Sequence, residues 1–291
     1  MGVLIGPETR LLCQGMTGRM GTFHCERMIA YGTRLVGGVR PGKGGKRHLG
    51  LPVFDSVAEG AAATGANVSA IFVPPDNAAA AMIEAIEANV PLVVCVTERV
   101  PVLDMVRVRH ALKGSRTRLI GPNSQGLLAP GSCKIGVMPS IHERPGRIGI
   151  VSRSASLTSE VVEQTSRLRL GQSTTVGVGG DPVHGLGFAA CLELFLADPG
   201  TDGIILIGEI GGVEEEEAAD FLRSARPKKP VVGFVAGRHA PRRRRMGHAG
   251  TINIFGRGDA EGKIEALRQA NVFIAPDAAS IGETMRGALT S

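Results

Sequence analysis

Along this chain a short apolar run rich in Val, Ile and Leu, a loop containing Gly or Pro, and an Ala/Glu-rich stretch of helical periodicity follow one another from end to end. Buried parallel strands read as continuous apolar runs, and the helices that cover them read as amphipathic stretches, so the alternation predicts βαβ units. In the first half the predicted strands are RLLCQG (10–15), RLVGGVR (34–40), SAIFVPP (69–75), PLVVCVT (91–97) and RLIGPN (118–123), with helices near 22–31, 77–89 and 102–113. The second half restarts with RIGIVSRS (147–154), STTVGVGG (173–180), GIILIGEIGG (203–212), PVVGFVAG (230–237) and NVFIAP (271–276). Its helices are expected near 156–168, 186–197, 214–225, 260–270 and 279–289. Between the halves, LLAPGSCKIGVMPSIHERPG (127–146) is dense in Gly and Pro and breaks the pattern. An α/β protein with two parallel-sheet domains is therefore expected, over residues 1–128 and 147–291, joined by a linker at 129–146.

Composition narrows the function classes. At 291 residues, two cores are the natural expectation, and 43% hydrophobic with 21% charged residues is the balance of a globular protein. No apolar run approaches the roughly 20 residues that cross a bilayer. The start MGVLIGPETRLL has neither a secretory n-region and h-region nor an Arg/Ser-rich transit pattern, so a cytoplasmic protein is expected. Five cysteines stand singly, without the paired spacing of a zinc site, and read as reduced and mostly buried; no metal site is expected on this chain. The net charge of +6 is local, because four arginines sit together at 242–245. With nine Phe, one Tyr and no Trp there are few platforms for stacking bases, which argues against nucleic acid as a partner.

In open parallel sheets, ligands collect at the C-terminal ends of strands. After the first strand come Gly15, Gly18 and Gly21 in the spacing GxxGxxG, followed at once by a helix start. Glycines let the backbone turn and approach a ligand, and the helix N-terminus offers unpaired N–H groups to phosphate. An NAD site wants an acidic residue at the end of the second strand, but here that end reads Arg40-Pro41-Gly42-Lys43-Gly44-Gly45-Lys46. Cations there favour a phosphate-bearing ribose, as in CoA or NADP; a solvated loop is the plain alternative. In the second half, Ser154, Ala155 and Ser156 stand where a helix should begin, as an anion seat or as an ordinary cap. His248 lies between Gly247 and Ala249-Gly250, small neighbours that let an imidazole enter a tight site. Such a histidine becomes a candidate nucleophile with an orienting partner, and Glu209 at the end of GIILIGE is placed to be one. The arginine run and the acidic run Glu214 to Glu217 read as a solvated face and a helix first turn.

The ordered set GMTGRMGTFH, GGVRPGKGGKRHLGLPVF, VTE, GPNSQG, GIVSRSASLTSE, GGDPV, GEIGG and RMGHAG resembles the succinyl-CoA synthetase α-subunit family over nearly the whole chain. The resemblance implies an N-terminal Rossmann-like CoA-binding domain and a C-terminal flavodoxin-like ligase domain. It also implies a β partner whose ATP-grasp fold binds ATP or GTP with magnesium, in an αβ or α2β2 assembly, and a place in the tricarboxylic acid cycle. CoA would lie against Thr17, Gly18, Arg19 and Met20, with Lys43 near its phosphates, Val96, Thr97 and Glu98 lining the site, and Asn123 close to the thiol end. His248 would be the phosphorylated histidine, Glu209 its orienting carboxylate, and Ser154, Ala155 and Ser156 the helix end that receives the phosphohistidine. The nucleotide would phosphorylate an acyl carboxylate and the acyl phosphate react with CoA, its phosphate being held by His248, with order and direction reversible. Two loops depart from the family's pattern. Ser124-Gln125 stands where Cys-Pro is common, and SASLTSE replaces SGTLTYE, so that Ser159 takes the place of a tyrosine that helps shape the carboxylate site. A smaller residue there leaves a malate-CoA or citrate-CoA ligase small subunit as alternatives to the succinate enzyme. A non-catalytic CoA-binding protein and an NADP-dependent reductase are the rivals from other classes.

Overall fold

The computed structural model describes residues 2–238, 240, 248 and 258–291; the arginine run 242–245 and Gly247, Ala249 and Gly250 of RMGHAG lie outside the described residues. The described chain divides into two compact units, one formed by Leu4–Met138 with Val183–Leu186, the other by Pro139–Pro182 and Gly187–Ser291 with the first residues up to Val3.

The first unit is built on strands β1 (Leu11–Gln14), β2 (Leu35–Val39), β3 (Arg47–His48), β4 (Leu51–Phe54), β5 (Val68–Ile71), β6 (Leu92–Cys95) and β7 (Arg118–Ile120). Their order is β3-β4-β2-β1-β5-β6-β7, parallel throughout except for β3 on the edge. Without β3 this is the doubly wound order 3-2-1-4-5-6, whose direction reverses between β1 and β5. Strands β1, β5 and β6 are buried along their whole length, which is why they read as unbroken apolar runs. Helices α1 (Arg19–Tyr31), α2 (Val57–Thr64), α3 (Pro75–Glu87) and α4 (Val102–Leu112) accompany this sheet. Met82, Ala85, Ile86, Met105 and Val108 close the core over Val93 and Ile71. A hairpin, β8 (Gly126–Ala129) with β9 (Cys133–Gly136), packs on α1, and its ties include Thr33 Oγ donating to Lys134 O at 2.7 Å. This hairpin, β3, β4 and α2 are absent from the sequence reading, and the Gly/Pro-dense stretch at 127–146 holds most of the hairpin.

The second unit has strands β10 (Pro145–Ser152), β11 (Gln172–Gly177), β12 (Gly203–Glu209), β13 (Val231–Ala236) and β14 (Phe273–Ile274), in the all-parallel order β14-β13-β12-β10-β11. Counted within the unit this is 2-1-3-4-5, the flavodoxin-like order, which reverses between β10 and β12. Helices α5 (Ala155–Arg167), α6 (Phe188–Ala197), α7 (Glu214–Ala225), α8 (Ala260–Gln269) and α9 (Ile281–Ala288) follow the strands. Gly149 leaves the room on β10 that the Phe195 ring fills, since a Cβ there would sit 2.5 Å from that ring. All five cysteines are buried, and burial pushes the Cys133 thiol up to about 11 and Cys191 to about 12, as expected of inert core residues. Among the described residues no helix is long and apolar enough to cross a membrane.

Candidate active site

Each strand order reverses beside a loop that the sequence singled out. In the second unit, β10 ends in Ser152-Arg153-Ser154 and β12 ends in Glu209. His248 Nδ1 lies 2.9 Å from both carboxylate oxygens of Glu209. With its proton on Nδ1 the ring donates to Glu209, which leaves the lone pair of Nε2 for chemistry. Gly180 forms the wall beside this ring: a Cβ there would stand 2.3 Å from His248 Cγ. Glu209 is nearly buried and His248 half-buried, so the pair is only partly screened by water. The hydrogen bond to Glu209 raises the His248 pKa above its ordinary value, with Asp181 adding to the rise and burial and the Arg153 charge opposing it.

Behind Glu209 stands a buried set of charges. Arg153 Nε lies 3.3 Å from Glu209 Oε1, and its NH1 lies 3.9 Å from Glu215 Oε1. Glu215 accepts the Glu209 backbone N–H at 2.9 Å and is paired with Lys263, both side chains being fully buried. Lys263 also reaches Glu216 at 3.2 Å. Burial raises the Glu215 carboxyl pKa, against the pull of Lys263 and Arg153. The acidic run thus does begin α7, as its first-turn character suggested, but Glu215 is a core residue with a pairing role. A readable signal existed. Glu215, Ala218, Ala219 and Leu222 are all buried at spacing i, i+3, i+4, i+7, as are Ala260, Lys263, Ile264 and Leu267, so each helix carries one charge on its apolar stripe.

At the start of α5, Ser154 caps the helix, its Oγ accepting from Leu157 N at 3.3 Å, and its backbone N–H is tied to Ser152 Oγ at 3.0 Å. Ala155 and Ser156 occupy the exposed first turn, whose N–H groups have no partner within a helix. Ser159 is half-buried one turn on, its hydroxyl donating to Ala155 O at 3.3 Å.

In the first unit the reversal between β1 and β5 opens a cavity of about 770 Å³. Its lining includes Thr17 and Gly18 of the glycine loop, Arg40 from the end of β2, and Phe72, Asn77 and Glu84 from β5 and α3. Gly21 is irreplaceable in shape, because a Cβ there would lie 2.0 Å from Gly15 O. Gly18 is the residue before α1, which gives the loop a helix N-terminus, and Arg40 donates to Thr17 Oγ at 2.8 Å. Arg19 and Met20 are exposed on the first turn of α1, and Lys43 sits in the turn after β2, outside the cavity wall. Val96, Thr97 and Glu98 follow β6, where Thr97 Oγ donates to Val73 O at 2.7 Å. Asn123 follows β7 and joins Thr97 through its backbone N–H at 2.8 Å. All these loops therefore lie on the C-terminal edge of one sheet. Gln14, Phe72, Asn77 and Glu84 escaped the sequence reading, since single polar or aromatic residues at the ends of buried runs carry no pattern of their own.

Residues 7–99 match the family model of the CoA binding domain and residues 151–273 that of CoA-ligase. Over 287 residues the chain is 48% identical to the ADP-forming succinate–CoA ligase subunit alpha of Aquifex aeolicus, covering 98% of this chain and 94% of that one. Its identity to the same subunit of Staphylococcus aureus is 47% over 285 residues, with the same coverage. Among solved structures, ATP citrate lyase from Methanothrix soehngenii in complex with citrate and coenzyme A superposes with a TM-score of 0.88 at 24% identity. That match takes in 99% of this chain but 50% of the lyase chain. The dinucleotide-forming acetyl-coenzyme A synthetase 1 of Ca. Korarchaeum cryptofilum gives 0.75 at 19% identity, over 95% of this chain and 60% of that one. At these identities the two structures speak for the fold alone.

Proposed function

The chain belongs to the succinate–CoA ligase alpha-subunit family, the alpha subunit of an ADP-forming acid–CoA ligase, and from that premise we propose that His248 is its phosphate carrier. The observation that supports this most is the grip of Glu209 on His248 Nδ1, with both carboxylate oxygens at 2.9 Å. In taking up phosphate, the Nε2 lone pair forms the N–P bond while the bond from phosphorus to the donor's oxygen breaks, and the Nδ1 proton stays on Glu209's side. In handing it on, the N–P bond breaks as a carboxylate oxygen of the acid bonds to phosphorus. The CoA thiol, losing its proton, then displaces phosphate from the acyl carbon. Ser154, Ala155 and Ser156 would receive the phosphoryl group at the N-terminus of α5, where backbone N–H groups stabilise its charge.

CoA fits the first unit: the cavity ends in a glycine loop with a helix N-terminus, and Arg40 rather than an acidic residue stands at the end of β2. Thr17, Gly18, Arg19 and Met20 would bind its diphosphate, Lys43 its other phosphate, and Val96, Thr97, Glu98 and Asn123 the arm leading to the thiol. Arg40 is a further cation for that role. The nucleotide and magnesium would be held by an ATP-grasp β subunit in an αβ or α2β2 assembly. Succinate is the acid favoured by the relatives. Ser159 is the residue we would hold responsible for any preference for malate or citrate, since its hydroxyl turns back to its own helix and its side chain is smaller than the tyrosine of the family pattern.

The test is transfer of labelled phosphate from ATP or GTP to this chain, co-expressed with its β subunit, in wild-type and His248→Asn forms. Acid-labile label on the wild type alone, discharged by CoA with one particular acid, is the expected result. A folded complex that binds CoA yet takes no label in either form would instead mark a non-catalytic CoA-binding protein.

A further inference from the structure

Arg153 is buried, follows directly on β10, and has a position that the phosphate-carrier reading alone does not use. Its Nε is within ion-pair distance of Glu209 yet finds no hydrogen-bond partner among the described residues, so the contact with Glu209 is one of charge rather than of a directed donor. A guanidinium is costly to bury unless it serves an anion. Here it serves two, Glu209 and Glu215, and the second is itself neutralised by Lys263 from α8. The charges therefore alternate in an unbroken line: Lys263, Glu215, Arg153, Glu209, His248. Glycines make the line possible, since a Cβ on Gly208 would stand 2.5 Å from Glu215 Oε1.

We propose that Arg153 is a positioning residue of the phosphate-carrying site. Its buried charge holds Glu209 turned toward His248, and with Glu215 as counterweight it sets the pH above which His248 accepts a phosphoryl group. This rests on the reading of His248 as the phosphate carrier. The physical step is short. Nε2 attacks only when unprotonated. A nearby carboxylate favours the imidazolium and a nearby guanidinium disfavours it, so their balance fixes the acid limit of the reaction. The charged groups facing His248 among the described residues are Glu209 from β12, Arg153 from β10 and Asp181 from the loop after β11, with Glu215 of α7 and Lys263 of α8 behind them.

The experiment follows acid-labile phosphate on this chain in the complex with its β subunit, as a function of pH, for wild type, Arg153→Gln, Arg153→Lys and Glu215→Gln. Loss of the cation in Arg153→Gln should move the acid limb of labelling upward by about one pH unit. Loss of the anion in Glu215→Gln leaves Arg153 to act on Glu209 alone and should move the limb the other way. Opposite shifts are a result that general damage to the fold cannot imitate. Arg153→Lys, which keeps charge and loses the planar fork, should keep the wild-type limb, and it stands as the test should Arg153→Gln fail to fold. Limbs that coincide in all four proteins overturn the proposal. So does an Arg153→Lys form that labels at the wild-type pH but at a level as low as Arg153→Gln, because that outcome makes the guanidinium a direct phosphate contact. If wild type itself takes no label that His248→Asn abolishes, the carrier reading has failed instead.

Discussion

A histidine that attacks phosphorus needs one ring nitrogen protonated and held, and the other bare. Glu209 meets the first need, and the direction in which it moves His248 sets a limit on the second. The pKa is raised above the usual histidine value of about 6.5, chiefly by the Glu209 hydrogen bond, so the Nε2 lone pair disappears as pH falls through that raised value. Phosphate uptake by the complex is therefore expected to fall on the acid side with a midpoint above the usual histidine value. Glu209→Gln should move that midpoint down, while lowering the plateau through weaker orientation. The linked effect on folding has the opposite sense. A raised folded-state pKa gives stability present in full below the ordinary value and lost as pH rises through the raised one, and it is small because the ring is partly exposed. Comparing the pH dependence of Tm in wild type and His248→Asn reads it directly. Gly180 makes the same site a matter of shape. In Gly180→Ala the new methyl occupies the place of the imidazole, so labelling should drop by about tenfold or more, with CoA binding unchanged. Isothermal titration with CoA beside the labelling assay separates the two. His248 and Glu209 were legible in the sequence because each sits where a pattern breaks, one in a run of small residues and the other as an acid ending an apolar strand. Gly180 stands in the GGDPV motif of the resemblance, but its role was not legible, because nothing in a sequence tells which glycine will face a ring from a distant loop.

At the scale of elements, α7 and α8 each carry a buried charge on an apolar stripe. Lys263 and Glu215 are fully buried and paired, so removing Lys263 leaves Glu215 without its main counter-charge in the core. Lys263→Met should destabilise the protein by about 3–5 kcal/mol, and adding Glu215→Leu should recover only part of it, since the apolar pair avoids the desolvation but takes a partner from Arg153 and from the Glu209 backbone N–H. Urea unfolding of the two variants measures the difference. If the single variant matches wild type, the pair is not the core contact described. The strands and helices that bury long apolar stretches were all legible, because period and length agree with the final structure. What escaped were short pieces stabilised by neighbours rather than by their own pattern. Strand β3 is two residues on a sheet edge, and α2 is a run of Val57-Ala-Glu-Gly-Ala-Ala-Ala-Thr64 with little contrast between its faces. The β8–β9 hairpin sits in a stretch that reads as a loop by its Gly and Pro content, and it is fixed by Met28 of α1 and by Thr33 just beyond that helix. Those contacts exist only after the chain has folded back on itself.

The two units carry sheets of different winding, each with its own core and its own reversal of strand order, and the proposed phosphate site and the CoA cavity fall on different ones. That division predicts that CoA binding and phosphate uptake can be removed separately. A ligand that binds the folded chain alone raises its stability by mass action, by about 2.7 kcal/mol at a hundred times its dissociation constant. CoA should therefore raise the Tm of wild type and of His248→Asn alike, the site in the first unit being intact in both. It should fail to do so in Gly21→Ala, where the added methyl would lie 2.0 Å from Gly15 O and the glycine loop cannot close. Because the loop supports α1, that variant should also melt lower without ligand, so the comparison is the increment caused by CoA rather than the Tm itself. NADP makes the discriminating control. It too carries a ribose phosphate that Arg40 and Lys43 could meet, so an equal rise with NADP would mean that the cavity reads phosphates and adenosine without regard to the pantetheine arm. A rise with CoA alone, kept in His248→Asn and lost in Gly21→Ala, would mean that the site built on the glycine loop reads the pantetheine arm as well as the phosphates, independently of His248.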